Sequence, residues 1–176
     1  MTELPGEAYL LNLSLLAVTF AAVSVLVMLV RQTMGGKLSN FDIHLLTSYV
    51  ARGFAIAVAA VLPSLFLDLG LSPPVFWATV SGLAAVLFAT TMALTLKERY
   101  RVTERAALPP FLTFAVSLHW IAAFILAVNA IVPWQSMFAF KAALTLSLAV
   151  AMWAFVRRVG SLVGDQPSDD WDPSRA

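Results

Sequence analysis

The stretch AYLLNLSLLAVTFAAVSVLVMLV, residues 8–30, contains no charged side chain. As a helix it would extend about 34 Å at a rise of 1.5 Å per residue, enough to cross the hydrocarbon core of a bilayer. Hydrocarbon offers no partner for a backbone amide, so a segment this apolar must satisfy its hydrogen bonds internally, as a helix does. Its length exceeds the apolar core of a secretory leader. Glu3 and Glu7 stand before it where a leader carries Lys or Arg, and no small-residue cleavage site closes it. It is therefore expected to be retained as a span.

Outward from this segment, four more apolar runs follow, at about residues 43–67, 75–96, 108–132 and 136–156. The composition agrees: 60% of the 176 residues are hydrophobic and 12% are charged, against about 45–50% and 25% in soluble domains. Mean hydropathy is +0.85. A soluble 19.0 kDa globule would have to leave much of this apolar surface in water. The expected fold is an all-α integral membrane protein, a single five-helix transmembrane bundle over residues 1–163. Residues 164–176, with Asp165, Asp169, Asp170 and Asp172, are expected to form a short, acidic, disordered cytoplasmic tail.

The basic residues orient the bundle. Of the 11 Lys and Arg residues, all but Arg52 and Lys141 lie in the 31–42 link, the 97–107 link or after residue 156. None lies in the N-terminal segment or in the 68–74 and 133–135 links. Positive residues accumulate on the cytoplasmic side, so the N-terminus is expected outside and the C-terminus inside, in a plasma (inner) membrane of bacterial type. Trp77, Trp134 and Tyr9 fall near the outer interface, and Trp153 and Tyr100 near the inner one, as aromatic belts do. Pro73, Pro74 and Pro133 mark the two outer links as tight hairpins.

Small residues recur at spacings of three and four, as in Ala78, Ser81, Gly82, Ala85 and Ala89 of the third span. Such stripes allow helix backbones to approach closely in lipid. They serve either packing within one bundle or a homo-oligomer seam.

Ionisable residues within apolar spans are costly and tend to mark sites. Three are present: Arg52, His119 and Lys141. Arg52 falls just inward of the middle of the second span. All 10 Asp and Glu residues lie at or beyond the ends of the apolar runs, so no carboxylate meets it at that depth. A guanidinium keeps its charge at any physiological pH and must find carbonyls, hydroxyls, water or an external anion. Ser24, Thr90 and Thr91 lie at similar depth, and with Arg52 and His119 they form the candidate intramembrane polar site. The plainer alternative for Arg52 is snorkelling toward the inner interface. For His119 it is a single hydrogen bond to a neighbouring helix, and a titrating gate is the sharper reading.

Lys141 lies in the outer part of the fifth span, and Glu7, Asp68, Asn12 and Asn129 share that layer. They form a candidate outer polar layer, in which a Glu7–Lys141 pair would tie the first span to the fifth. Pro63 frees a carbonyl near Ala59 and is expected to act structurally.

The five-span layout with an outer N-terminus is similar to that of respiratory cytochrome b subunits. Those hold haem between histidines at matched depth, whereas His44 opens the second span and His119 lies mid-span. No haem, other cofactor or metal site is therefore expected. Cysteine is absent, which excludes thiolate chemistry, and no HExxH, GxSxG or phosphate loop occurs. Asn40 and Asp42, beside His44, read as a helix start. No basic patch with interleaved aromatics suggests nucleic acid.

The expected function is that of a small oligomeric channel or transporter for an ion or small solute, an anion before a cation. The alternatives are an accessory or assembly subunit of a larger membrane complex, or a lipid-, quinone- or haem-binding membrane protein. Its expected partners are the lipid bilayer and copies of itself or other membrane subunits.

Overall fold

A computed structural model describes residues 6–33, 40–102, 110–132 and 136–164. These residues form α1 (Glu7–Thr33), α2 (Asn40–Phe66), α3 (Pro73–Val102), α4 (Pro110–Ile131) and α5 (Met137–Gly164), with one 3₁₀ turn at Leu67–Leu69 after α2. No strand occurs among the described residues. All five helices are long and apolar enough to cross a membrane, which marks the chain as a multi-pass membrane protein. Gly164, the first residue of the expected tail, ends α5, and the rest of that tail, Pro133 and Trp134 lie outside the described residues.

The helices outrun the apolar segments, most clearly at one end of the bundle. The third was expected to stop at about residue 96 and the fifth at about 156, yet α3 continues through Val102 and α5 through Gly164. Hydropathy marks where lipid ends, whereas a helix continues while its backbone hydrogen bonds do. These extra turns carry Lys97, Arg99, Arg101, Arg157 and Arg158, so this end is called the basic end. At the opposite end α3 opens on Pro73 and Pro74, since the first turn of a helix needs no proline N–H. Helix α2 runs on through Pro63 to its last turn.

Sequential helices pack antiparallel, and α1 also lies alongside α5. Helix α2 is the hub, touching α1 on one flank, α3 on another and α5 between them. It approaches α1 closely at Gly53, where a Cβ would stand 2.9 Å from the Ala17 carbonyl oxygen and 3.0 Å from the Ala21 Cβ. Ser14 donates to the Ala57 carbonyl across the same interface at 3.2 Å. In the basic half, Phe20, Tyr49 and Phe155 pack edge-on to one another and join α1, α2 and α5. On α3, Ser81, Ala84 and Ala85 are buried within the chain, and Gly82 faces Ala130 of α4. Much of the small-residue stripe of α3 thus packs inside this bundle.

Hydroxyls along the spans donate back to carbonyls four residues earlier, as at Thr79 on Val75 and Thr47 on Ile43, both 2.8 Å. That is the local solution for a hydroxyl where water is scarce. Asn129 works differently. Its amide donates to Ser81 Oγ at 2.8 Å, and its carbonyl accepts from the Ser136 backbone N–H at 2.7 Å. One buried side chain so ties α4 to α3 and to the start of α5, where Ser136 Oγ accepts from the Ala139 N–H as an N-cap. Asn129→Ala is expected to cost about 1–3 kcal/mol, because it leaves buried polar partners unsatisfied. A thermal melt followed by tryptophan fluorescence reads the loss; Asn129→Asp, which keeps only an acceptor, should not restore it.

Candidate intramembrane site

Depth alone grouped Arg52 with His119, Ser24, Thr90 and Thr91. Helix azimuth divides that group. Arg52, Thr91 and His119 line one cavity between α2, α3 and α4, together with Met92, Phe88, Trp120 and three small or aliphatic residues of α2 and α4. The cavity holds about 20 Å3, room for about one water molecule. Ser24 is buried on α1 and donates to its own helix at the Phe20 carbonyl, 2.9 Å away; it does not line the cavity. Thr90 is exposed on the outer face of α3. Adjacent residues on a helix stand about 100° apart, so Thr91 faces inward where Thr90 cannot.

Arg52 is 8% exposed. Its Nη2 donates to the Met92 sulfur at 3.8 Å, a weak acceptor, and its Nε has no partner. Its side chain lines the cavity wall. His119 is 5% exposed. Its Nδ1 faces the Ala115 carbonyl at 2.9 Å on its own helix, not a neighbouring one as the sequence suggested. A carbonyl only accepts, so Nδ1 carries the proton and the lone pair of a neutral ring sits on Nε2. That nitrogen is buried and without a partner. The Thr91 hydroxyl donates to the Leu87 carbonyl at 2.8 Å, leaving its oxygen lone pairs free to accept.

The cavity thus presents guanidinium N–H groups and an imidazole lone pair on otherwise apolar walls. Most of its lining is buried, but Trp120, also in the lining, is 41% exposed. Sequence reasoning named Arg52 and His119 because ionisable residues stand out in apolar runs. It did not name Met92, Phe88 or Trp120. Their only signal was the spacing of four between 88 and 92, which carries no information about which neighbour that face meets.

The outer polar layer does not assemble. Lys141 Nζ lies 5.4 Å from the centre of the Tyr9 ring, and the Tyr9 hydroxyl bonds to Thr145. Lys141 also crowds Gly6, which has a φ of 75°. It thus ties the first helix to the fifth through an aromatic face, and no ion pair with Glu7 forms. Asp68 is exposed in the 3₁₀ turn and Asn12 is exposed on α1, while Asn129 is buried in the bridge described above. Arg101 and Glu98 form an ion pair at 3.0 Å on the surface, a type worth little energy.

No family model, curated protein or solved structure matches this chain.

Proposed function

We propose that this chain binds and passes a small anion at Arg52, acting as a channel or transporter subunit in a bacterial-type plasma membrane. Its N-terminus lies outside and its basic end in the cytoplasm. The supporting observation is the buried guanidinium, whose Nε lacks an acceptor and whose Nη2 meets only a thioether. A fixed charge in a low-dielectric setting is strongly unfavourable until a counter-charge or polar shell reaches it. Since every Asp and Glu lies near the span ends, the counter-charge best suited to Arg52 comes from outside the chain. His119 Nε2 supplies an acceptor for a water or O–H that accompanies the anion.

The test is flux of chloride, nitrate and formate through purified protein in liposomes. Arg52→Leu is expected to lower flux at least tenfold, the scale of one lost charge-assisted contact. Arg52→Lys, which keeps the charge but loses the fork of donors, is expected to keep a measurable fraction. Equal flux in Arg52→Leu would sink the assignment.

A further inference from the structure

The polar residues of α2 do not end at Arg52. His44, Ser48 and Arg52 stand four residues apart on one face, at 8%, 5% and 8% exposure. Successive steps of four drift by only about 40°, so the three form one row from the basic end to the middle of the helix. Across from them α3 carries Thr91, Thr95 and Arg99, also four apart. The rows face each other: His44 lies near the Thr95 backbone and within electrostatic reach of Glu98, Arg99 and Arg52. Thr91 lines the Arg52 cavity. The α2–α3 interface is therefore polar from the basic end to the cavity.

Beyond Arg52 the pattern stops. The same face of α2 continues as Ala55, Ile56 and Ala59, and Ala84 of α3 and Leu126 of α4 are fully buried in the same core. Local hydroxyl bonding would account for Ser48, on the His44 carbonyl at 2.7 Å, and for Thr95, on the Thr91 carbonyl at 2.8 Å. It does not account for an imidazole and a guanidinium on the same row. A hydroxyl rotates at little cost, so each of these can turn from its carbonyl toward a passing water or ion. An apolar layer on the far side gives no such exchange.

We infer that the seam of His44, Ser48 and Thr95 is an aqueous access path that loads the Arg52 site from the basic end only. It carries hydrated small anions and not ligands dissolved in the bilayer. This rests on the anion-binding reading of Arg52, and it adds the side of entry and the physical state of the ligand.

The chain has no cysteine, so single thiols can be placed without background. Ser48→Cys and Thr95→Cys are close to volume-conserving and test the seam; Ala59→Cys tests the layer beyond Arg52. Lys97→Cys, exposed near the basic end, reports which side a membrane-impermeant reagent reaches. In vesicles, a sulfonate-bearing methanethiosulfonate is expected to modify Ser48→Cys and Thr95→Cys from the side that modifies Lys97→Cys, and to spare Ala59→Cys. The anionic reagent should react about tenfold faster than its trimethylammonium counterpart, because a fixed positive charge concentrates anions along the path. Adding Arg52→Leu to Ser48→Cys should remove that preference.

Two results would overturn the path. One is seam thiols that react only with lipid-permeable N-ethylmaleimide, which would assign entry to the bilayer side at Trp120. The other is equal modification from both sides. Seam labelling without anion flux would keep the path and reject the transport reading; normal flux with unlabelled seam thiols would reject the path alone.

Discussion

Arg52→Leu is expected to yield a protein that is more stable and whose proposed anion flux is at least tenfold lower. Two effects usually linked in a core mutation should here move in opposite directions. The guanidinium is buried beside Ala55, Ile56 and Phe88, with a thioether as the acceptor of Nη2 and none for Nε. Exchanging a buried charge for a packed aliphatic side chain is often stabilising, by about 1–4 kcal/mol. Leucine fits the apolar part of this cavity, and the Met92 sulfur loses little when the donor leaves. If instead Arg52 were the keystone of the α2–α3–α4 packing, the same change would destabilise by about 3–5 kcal/mol, the cost of breaking a buried polar network. A melt in detergent, followed by tryptophan fluorescence, decides the sign. Flux measured on the same preparation then separates a lost site from a lost fold. A fall in both would show that Arg52 holds the bundle together.

The second large effect is expected at Gly53, far from any chemistry. There α1 and α2 touch so closely that a Cβ would meet a backbone oxygen, Ala17 O, at 2.9 Å. A flexible side-chain tip yields to such a contact, but a carbonyl fixed in its own helix does so only if the helix moves. Gly53→Ala is therefore expected to cost about 1–3 kcal/mol, the usual range for overpacking. Gly53→Leu should displace α1 from the bundle altogether, seen as loss of folded protein in size-exclusion chromatography. Ala21→Gly in the Gly53→Ala background removes the neighbour at 3.0 Å but not the Ala17 carbonyl, so it should recover only part of the melting temperature. Full tolerance of Gly53→Leu would mean that α1 is peripheral to the fold.

Particular residues show how far the sequence could be read. Arg52 and His119 were visible because each interrupts an apolar run, where an ionisable group needs a reason. Their convergence on one cavity agreed with depth, which helix rise converts from residue number. Ser24 failed on the same argument. It shares the depth, but α1 packs against a flank of α2 away from the cavity, where Gly53 and Ala57 face it. Lys141 was legible as an outer cation but not its partner: a carboxylate and an aromatic face both attract an ammonium, and helix placement decided for Tyr9. His44 looked like part of a helix start, and only the facing row on α3 gives it a second role.

By itself, the sequence determined five apolar helices, the segregation of basic residues to one end, and the presence of a cation in mid-span without a carboxylate at its level. These follow from composition along one dimension, because hydrocarbon excludes charge and leaves the backbone no choice but a helix. The tertiary structure decided which faces of those helices meet. A helix 27 residues long, such as α2, offers residues on all sides at each depth. Close contact at Gly53 and packing around Tyr49 select the face turned to each neighbour. That selection placed Met92 and His119 beside Arg52, turned Thr90 outward, and set His44 near Thr95.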